Sequence, residues 1–348
     1  MTSDPPNSTP GGRTSATPTI RDVARLAGVS IGTASKALNA NGRMREETRE
    51  NIRRVAQEIG YRPNDLAQSL HRTKSRTVGI ITNDSFGRFS FPIVEALEDV
   101  LADKGIAIFM CNATDDPQRE RQHLDQLLGK RIDGLVVTAR RADKRAPIGP
   151  LPDGLPVVYV YSQTDASEAV SLLPDDEGGA RLATRHLMEI GCKRIAHVTG
   201  PERFEAVRLR HQGYVQALRE AGRGEGEDLY LSGSWSEAWG REAIAQLFAG
   251  KGEGPDGIFC GNDQIARGVA DALRERGSRV PEDVAIVGFD NWGVMTEASR
   301  PPLSSIDMNL QALGREAGRL LIGMIAGEKT RGIRHLPCTL IVRDSSRR

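Results

Sequence analysis

The chain has few of the features that mark secreted, membrane or disulfide-rich proteins. Its four cysteines, Cys111, Cys192, Cys260 and Cys338, are widely separated and form no CxxC pair, which is typical of free thiols in a reducing cytosol. No stretch approaches the roughly 20 apolar residues that a membrane span needs. Residues 1–18 lack the basic start and apolar run of a secretory signal, and their Pro, Ser, Thr and Gly predict a disordered tail. We therefore expect a soluble intracellular protein.

Signatures of the common enzyme classes are also missing. The sequence has no GxGxxG at a strand-to-helix junction, no GxxxxGK[ST] phosphate loop and no HExxH zinc motif. Its six histidines show no metal-ligand spacing, and no Ser or Cys stands in a nucleophile elbow. These absences predict no catalytic residues, no metal and no cofactor, and they make an enzyme the weaker hypothesis.

Net charge is close to zero but is unevenly distributed along the chain. The formal charge is +1 over 348 residues. Residues 19–75 hold eleven Lys or Arg against six Asp or Glu, so they carry +5 and the rest of the chain carries −4. A basic N-terminal segment favours a polyanionic partner such as DNA. The length allows two or three domains, so the remainder of the chain can have a different role.

The start of the basic segment spells two short helices joined by a tight turn. Thr19 and Asp22 can form a capping box at the first helix. Gly28 permits a sharp turn, and Ser30 can cap a second helix from Ile31 to Leu38. The inward face of that second helix is alanine and leucine, while its outward face is small and mixed. This is the layout of a helix-turn-helix that reads a DNA groove.

Two further segments follow the helix-turn-helix. A third helix is predicted from Arg45 to Ile59, closed by Gly60. The segment from Asn64 to Leu70 can be helical, but seven residues cannot hold a helix alone in water. It would be ordered only when paired with its twin or pressed against DNA, which would make it a switch. A plain linker is the alternative.

From residue 76 onward, apolar strand-like runs alternate with helical stretches. This alternation indicates βαβ units with parallel sheets, and the pattern occurs twice in succession along the chain. In open α/β sheets, ligands bind beyond the carboxyl ends of the strands. The residues at those ends are rich in Asn, Asp and aromatic side chains. Amide and carboxylate groups can form paired hydrogen bonds to neighbouring hydroxyls, and an aromatic ring can cover the C–H face of a sugar, so this combination is typical of a carbohydrate site.

Five stretches near the N-terminus carry specific motifs: Ile20-Arg-Asp-Val-Ala-Arg-Leu-Ala-Gly-Val-Ser30, Thr33-Ala-Ser-Lys-Ala-Leu-Asn39, Glu47-Thr-Arg49, Ile59-Gly-Tyr-Arg-Pro-Asn64 and Ala67-Gln-Ser-Leu70. They resemble the headpiece and hinge of the LacI/GalR family of bacterial repressors. The resemblance implies a small all-α headpiece followed by a two-lobed α/β domain like a periplasmic binding protein. The expected domains are a tail at 1–18, a headpiece at 19–62, a hinge helix and linker at 63–75, an effector-binding and dimerisation domain at 76–343, and a tail at 344–348.

The resemblance also implies which residues meet operator DNA. Ile31, Gly32 and Lys36 would face the major groove, and Leu70 would be an apolar wedge in a minor-groove step. Lys36 stands where arginine is common in the family. Lysine cannot form the paired, bidentate hydrogen bonds that an arginine guanidinium forms. The predicted DNA-binding set is Thr19, Ser30, Ile31, Gly32, Thr33, Ser35, Lys36, Asn39, Asn64, Ala67, Leu70 and His71.

In the body, the resemblance implies a cleft for a small effector. Arg210 stands three residues before a Gly-aromatic pair, and Asp290 ends a Gly-aromatic-Asp segment, which are recurring positions of the family. Asn262 could instead cap the next helix, Trp235 could be a core residue, and Arg208 competes with Arg210 for the same role. The predicted effector-binding residues are Phe89, Ser90, Tyr161, Phe204, Ala206, Arg210, Trp235, Asn262 and Asp290.

Together, these features predict a homodimeric transcriptional repressor that binds a palindromic operator in the cytoplasm. A sugar is the expected effector, and a nucleobase or a phosphorylated co-repressor is the alternative. A stand-alone sugar-binding receptor could share the body, but it would need an export signal and no headpiece. We expect the effector to change the angle between the lobes and thereby the pairing of the hinge helices.

Overall fold

The computed structural model describes residues 18–38, 44–61, 74–166, 169–223, 229–250 and 254–348. The chain divides into two compact units, residues 1–75 and 76–348. Within the described residues, the first unit contains only helices and the second is α/β.

The first unit is a three-helix headpiece formed by Ile20–Leu26 (α1), Ile31–Leu38 (α2) and Glu46–Glu58 (α3). The Asp22 carboxylate accepts hydrogen bonds from the backbone N–H and the hydroxyl of Thr19, at 3.0 and 2.7 Å. Gly28 has a φ of +66°, which glycine adopts without strain. The hydroxyl of Ser30 accepts a bond from the N–H of Thr33 at 3.1 Å and so caps α2. The predicted helix-turn-helix is present.

The headpiece core is small and made of short side chains. Its helices present their apolar stripes to one another, and alanines let the backbones approach closely. Among the described residues, the buried members are Val23, Ala24, Ala34, Ala37, Ile52, Val55 and Ala56.

The second unit begins with lobe 1, which is built on a parallel sheet. Helices Ser90–Ala102 (α4) and Leu310–Ile325 (α11) pack on one face of this sheet, and Pro117–Gly129 (α5) packs on the other. Across the sheet, the strands are Gly332–Leu336 (β13), Val170–Pro174 (β7), Val157–Val160 (β5), Gly134–Thr138 (β3), Thr77–Thr82 (β1) and Ala107–Asn112 (β2). Two short strands, Lys144–Arg145 (β4) and Gln163–Thr164 (β6), pair separately.

Lobe 2 repeats this architecture. In order, its strands are Thr339–Ile341 (β14), Ser304–Asp307 (β12), Ala285–Phe289 (β11), Gly257–Cys260 (β10), Ile195–Thr199 (β8) and Leu229–Ser232 (β9). Only β14 runs antiparallel to its neighbour. Asp176–Glu189 (α6) and Glu205–Glu220 (α7) pack on one face, and Glu237–Leu247 (α8) and Asp263–Glu275 (α9) pack on the other. Gly293–Thr296 (α10) is a single turn after β11.

The chain crosses between the lobes three times: from β7 to α6, from β12 to α11, and from β13 to β14. The crossings are hydrogen-bonded to one another. The N–H of Asp175 donates to the carbonyl of Leu336 at 2.8 Å, and the Asn309 amide donates to the carbonyl of Pro337 at 2.8 Å. The three crossing segments therefore form a hydrogen-bonded hinge, and the carboxyl ends of the parallel strands of the two lobes face each other beside it.

The predicted double α/β architecture is confirmed, but several elements were not predicted. The sequence patterns did not identify β7, β9, β12, β13, β14 or α11. The segment 344–348, predicted as a tail, includes a 3₁₀ turn, Asp344–Ser346. Ser345 and Ser346 are buried there, and the Ser345 N–H donates to the carbonyl of Pro302 at 2.9 Å.

Candidate DNA-reading face and effector cleft

The outer face of α2 is open to solvent. Ile31 is 48% exposed, and Gly32 and Lys36 are exposed as well, whereas Ala34 and Ala37 lie in the headpiece core. This orientation agrees with the expected reading helix. Contact of these residues with DNA stays a prediction.

Several hydroxyls of the predicted DNA-binding set have partners inside the headpiece. Thr19 donates to Asp22, and the hydroxyls of Ser30 and Thr33 lie 2.8 Å apart. Ser35 is half-buried. These groups hold the helix-turn-helix in shape as well as lying near its reading face. Five predicted residues lie outside the described part of the chain: Asn39, Asn64, Ala67, Leu70 and His71.

Arg210 is a deeply buried charge of the cleft. It projects from α7, and only 2% of the residue is exposed. Its Nε donates to Oδ1 of Asp176 at 2.8 Å, and its Nη1 donates to the carbonyl of Gly261 at 2.5 Å. The guanidinium also lies 3.7 Å from the centroid of the Phe289 ring. Arg210 is thereby fixed at the carboxyl ends of the lobe 2 strands.

Arg208 has a different environment from Arg210, although the two are only two positions apart. Its side chain is 51% exposed, and its Nε donates to the Glu205 carboxylate at 2.9 Å on the surface of α7. Of the two arginines, Arg210 faces the cleft.

Asp290 connects the charges of lobe 2 to lobe 1. Its Oδ1 lies 3.9 Å from the Arg210 guanidinium, and its Oδ2 accepts a hydrogen bond from Arg88, which lies just before α4 in lobe 1. Arg88 also donates to Oε1 of Gln264 in lobe 2 at 3.3 Å. The side chains of Arg88 and Asp290 are 14% and 6% exposed. Asp176, Arg210, Asp290 and Arg88 form a line of alternating charges that spans both lobes.

Burial shapes the protonation of this cluster. It raises the pKa of Asp176, Asp263 and Asp290, although the neighbouring guanidiniums oppose this rise for Asp176 and Asp290. Asp263 is raised further by the charge of Asp290, while bonds from the Ser305 hydroxyl (2.6 Å) and the Trp292 N–H (2.7 Å) act against the rise. Burial therefore makes these carboxyl groups harder to ionise than exposed ones.

Two aromatic pairs lie among the predicted cleft residues. Phe89 and Tyr161 stack in lobe 1 with ring centroids 5.0 Å apart, and Tyr161 is buried. Phe204 and Trp235 stack in lobe 2 with centroids 6.4 Å apart. Burial raises the pKa of the Tyr161 hydroxyl, which stays neutral.

Three predicted cleft residues remain, Ser90, Asn262 and Ala206. The first two form hydrogen bonds with residues nearby in the sequence, and Ala206 has no polar side chain. The hydroxyl of Ser90 is buried 2.8 Å from that of Thr82. Oδ1 of Asn262 accepts the N–H of Ile265 at 2.9 Å and caps α9, which is the alternative that the sequence left open. Ala206 lies half-buried in the first turn of α7.

The rim of the cleft joins the lobes a second time. Oδ1 of Asp143 in lobe 1 accepts the N–H of Glu205, the first residue of α7, at 3.0 Å. The guanidinium of Arg141, also in lobe 1, lies 5.2 Å from the centroid of Phe204. Helix α7 is thus capped by a side chain of the other lobe.

A cavity of about 390 Å³ opens beside the Arg88–Asp290 pair. Its walls come from the start of α4, the end of β11, the crossing after β12 and the first turns of α11. Of the nine predicted effector residues, Phe89 and Asp290 line it. The cavity therefore lies at the hinge end of the cleft, where a ligand would contact both lobes and one crossing.

Comparison with known proteins agrees with both units. The model of the lacI family of bacterial regulatory proteins matches residues 19–64, and that of the periplasmic binding protein-like domain matches residues 184–346. The chain is 32% identical over 330 residues to the HTH-type transcriptional repressor CytR of Escherichia coli (strain K12), covering 94% of this chain and 96% of CytR. The chain belongs to the LacI family.

Solved structures of the LacI family resemble this chain over nearly its whole length. A lac repressor dimer bound to operator and the anti-inducer ONPF has a TM-score of 0.75 and 26% identity, covering 95% of this chain and 99% of that one. A complex of the transcriptional regulator CelR with cellobiose has a TM-score of 0.62 and 30% identity, covering 94% and 99%.

Membership of the LacI family identifies the chain as a DNA-binding transcriptional regulator, which confirms that it is not an enzyme. All four cysteines are free thiols. Among the described residues, no cluster of His, Cys, Asp or Glu could hold a metal ion. No helix in that part of the chain is long and apolar enough to span a membrane.

Sequence reasoning gave no cleft role to three residues that the structure places there: Arg88, Asp176 and Trp292. Asp176 follows β7, so the acidic pair after that apolar run was an available signal. Arg88 lies in the loop after β1, but its partner Asp290 is 202 positions away. Nothing in the local pattern distinguishes Arg88 from a solvated arginine.

Proposed function

We propose that this chain represses transcription as a homodimer in the cytoplasm, with its headpieces on the two halves of a palindromic operator. A small molecule bound between the lobes controls operator affinity. The observation that carries this proposal is the line of buried charges from Asp176 to Arg88, because it joins the lobes and ends in Arg88 and Asp290, which line the cavity. A sugar is the first candidate effector, since the cleft combines carboxylate and guanidinium groups with aromatic rings.

Two comparisons support the operator and the effector. The similar lac repressor structure is a dimer bound to operator, and the similar CelR structure is a complex with cellobiose. The exposed face of α2 offers Ile31 for an apolar contact and Lys36 for guanine acceptors.

Exposed apolar side chains on lobe 1 support the dimer. Phe86 is 90% exposed, Phe91 61%, Phe109 45% and Met110 36%. Contiguous exposed apolar patches mark interaction surfaces, and these side chains come in two groups along the chain, Phe86 with Phe91 and Phe109 with Met110. We propose that a second copy of the chain covers them.

Operator binding is tested by selecting duplexes from a random DNA library with the full-length protein. We expect a palindromic consensus, an affinity that falls steeply with added salt because phosphate contacts release counterions, and a dimer in sedimentation. A consensus without symmetry together with a monomeric protein would overturn the proposed assembly.

Effector control is tested by titrating sugars and nucleobases into the complex with the selected operator. Asp290→Asn should bind operator but lose its response to the effector, because the variant lacks a carboxylate at the junction of the lobes. Asp283→Asn is the matched control, since Asp283 pairs with Arg279 on the surface. A normal response of Asp290→Asn would remove Asp290 from the effector site.

A further inference from the structure

Arg88 has more hydrogen-bond donors than partners. A guanidinium carries five N–H groups. In the described part of the chain, Nη2 of Arg88 bonds to Asp290, Nη1 bonds to Gln264, and the buried Nε has no partner. Its faces are covered by the rings of Phe89 and Trp292, at 4.9 and 4.3 Å from their centroids. Arg88 is thus held in place with donors to spare.

The cavity beside Arg88 has the same surplus of donors. Its two carboxylates are already bonded: Asp290 to Arg88, and Asp307 to the Asn291 amide at 3.1 Å and the Asn309 N–H at 2.7 Å. Arg315, on the second turn of α11, lines the cavity and has no ion pair within the described residues. A ligand in this cavity therefore meets the Arg88 guanidinium, which has donors to spare, and the guanidinium of Arg315, which is exposed to solvent.

The Arg88–Asp290 pair limits which ligands can use Asp290. If a hydroxyl of the ligand donates its hydrogen bond to Oδ2 of Asp290, it displaces the Arg88 guanidinium from that oxygen. A buried guanidinium that loses its carboxylate and keeps only the neutral Gln264 oxygen is strongly unfavourable, so the same ligand has to supply a replacement acceptor. Neutral hydroxyls replace a carboxylate poorly, whereas phosphate and carboxylate oxygens form charge-assisted bonds with arginine.

We propose that the effector is a polyhydroxylated small molecule carrying an anionic group, a phosphate monoester or a carboxylate, that Arg88 and Arg315 bind in the hinge-end cavity. This inference rests on the proposed binding of an effector between the lobes and names its chemical class. In it, Asp290 contacts the hydroxyls, and Arg88 is the residue that selects for the anion.

The first experiment uses inorganic phosphate as the probe and full-length protein throughout. Thermal midpoints are measured in phosphate and in chloride at equal ionic strength for the wild type, Arg88→Gln, Arg315→Gln and Arg319→Gln. Arg319 is the matched control, because it lies one turn further along α11, is 69% exposed and already faces Glu316. We expect phosphate to stabilise the wild type and Arg319→Gln more than the other two variants, because binding to the folded state raises the midpoint.

The second experiment compares matched neutral and anionic ligands by titration calorimetry. Suitable sets are glucose with glucose 6-phosphate and glucuronate, and cytidine with its 5′-monophosphate. At least one anionic member should bind about tenfold more tightly than its neutral partner, a preference that Arg88→Gln and Arg315→Gln reduce. The phosphate and carboxylate arms distinguish the two sources of the anion.

Equal phosphate shifts in all four proteins would overturn the inference, whatever the ligand panel shows. Tight binding of a neutral sugar that Arg88→Gln does not weaken would overturn it too, but would leave the proposed sugar-controlled repressor intact. Failure of every small molecule to change operator affinity, with the phosphate pattern as expected, would instead remove the proposed effector control.

Discussion

The headpiece and the cleft are stabilised by opposite kinds of chemistry. Among the described residues, the headpiece core has seven buried apolar residues, four of them alanine, and the outer face of α2 points to solvent. The cleft holds Asp176, Arg210, Asp290 and Arg88 in a buried line where each charge depends on its neighbour. Apolar burial is non-directional, whereas a buried charge that loses its partner is heavily penalised. The two regions should therefore respond differently to substitutions of similar size.

The largest effect is expected from Arg210→Met. The variant keeps a long side chain but leaves Asp176 and Asp290 buried without their shared guanidinium, so the free energy of unfolding should fall by about 3–5 kcal/mol. Tryptophan fluorescence in urea measures this change in the body alone, because Trp235, Trp239 and Trp292 all lie there.

Arg208→Met is the control for Arg210→Met. Its surface pair with Glu205 is half exposed, so the loss should be no more than about 1 kcal/mol. Equal losses for the two variants would show that the buried line has no special energetic role.

The second effect is on the headpiece. Ile52 is fully buried, and Ile52→Ala should cost about 2–5 kcal/mol through lost burial and the cavity left behind. Far-UV circular dichroism should show early loss of helix and operator binding should fail, while the tryptophan transition of the body stays in place. Ile31→Ala on the exposed face should change stability by less than about 0.5 kcal/mol. If Ile52→Ala also shifts the tryptophan transition, the two regions are not independent.

A smaller effect is expected at the reading face. Lys36→Arg restores a bidentate fork and should raise discrimination at one operator base pair by about 1 kcal/mol. Competition between the selected operator and its single-base variants measures this gain. Lys36→Gln should lower affinity instead. An unchanged preference in Lys36→Arg would place this residue on the phosphates rather than on a base edge.

The last comparison concerns two aspartates, one in each region, whose pKa values are shifted in opposite directions. Bonds from Thr19 lower the pKa of Asp22, so its contribution exists above its unfolded pKa of about 3.9 and is lost as pH falls below it. Burial raises the pKa of Asp263 to about 8, so the stability of the body should fall as pH rises from about 4 to about 8. In Asp22→Asn, the thermal midpoint measured by circular dichroism should depend less on pH below about 4. In Asp263→Asn, the midpoint measured by tryptophan fluorescence should depend less on pH between about 4 and 8. Flattening over the same pH range would contradict these shifts.

The headpiece could be predicted residue by residue because its determinants are local. Thr19 and Asp22 are three positions apart, as are Ser30 and Thr33, and Gly28 marks the turn between them. The alternation of strands and helices likewise predicted the double α/β body. Helix α11 was missed although its apolar residues Leu313, Ala317 and Leu321 follow helical spacing.

The site was predicted less completely because its partners are far apart in sequence. Arg210 and Asp290 were found through family motifs. Arg88 was not, because its role depends on a contact that only the fold creates. Strand β13 is mostly exposed and has no clear alternation of apolar residues, so its place in the lobe 1 sheet could not be predicted from pattern alone.

The order of the strands constrains how the chain is made. The sheet of lobe 1 gains its edge strand, Gly332–Leu336, only after the strands of lobe 2 up to Ser304–Asp307 have been synthesised. The sheet of lobe 2 waits for Thr339–Ile341. During translation, the two sheets receive their last strands within ten residues of each other (332–341), so a chain that stops before residue 332 exposes open sheet edges in both lobes. The body therefore assembles as one late event, whereas the headpiece can fold as soon as it emerges.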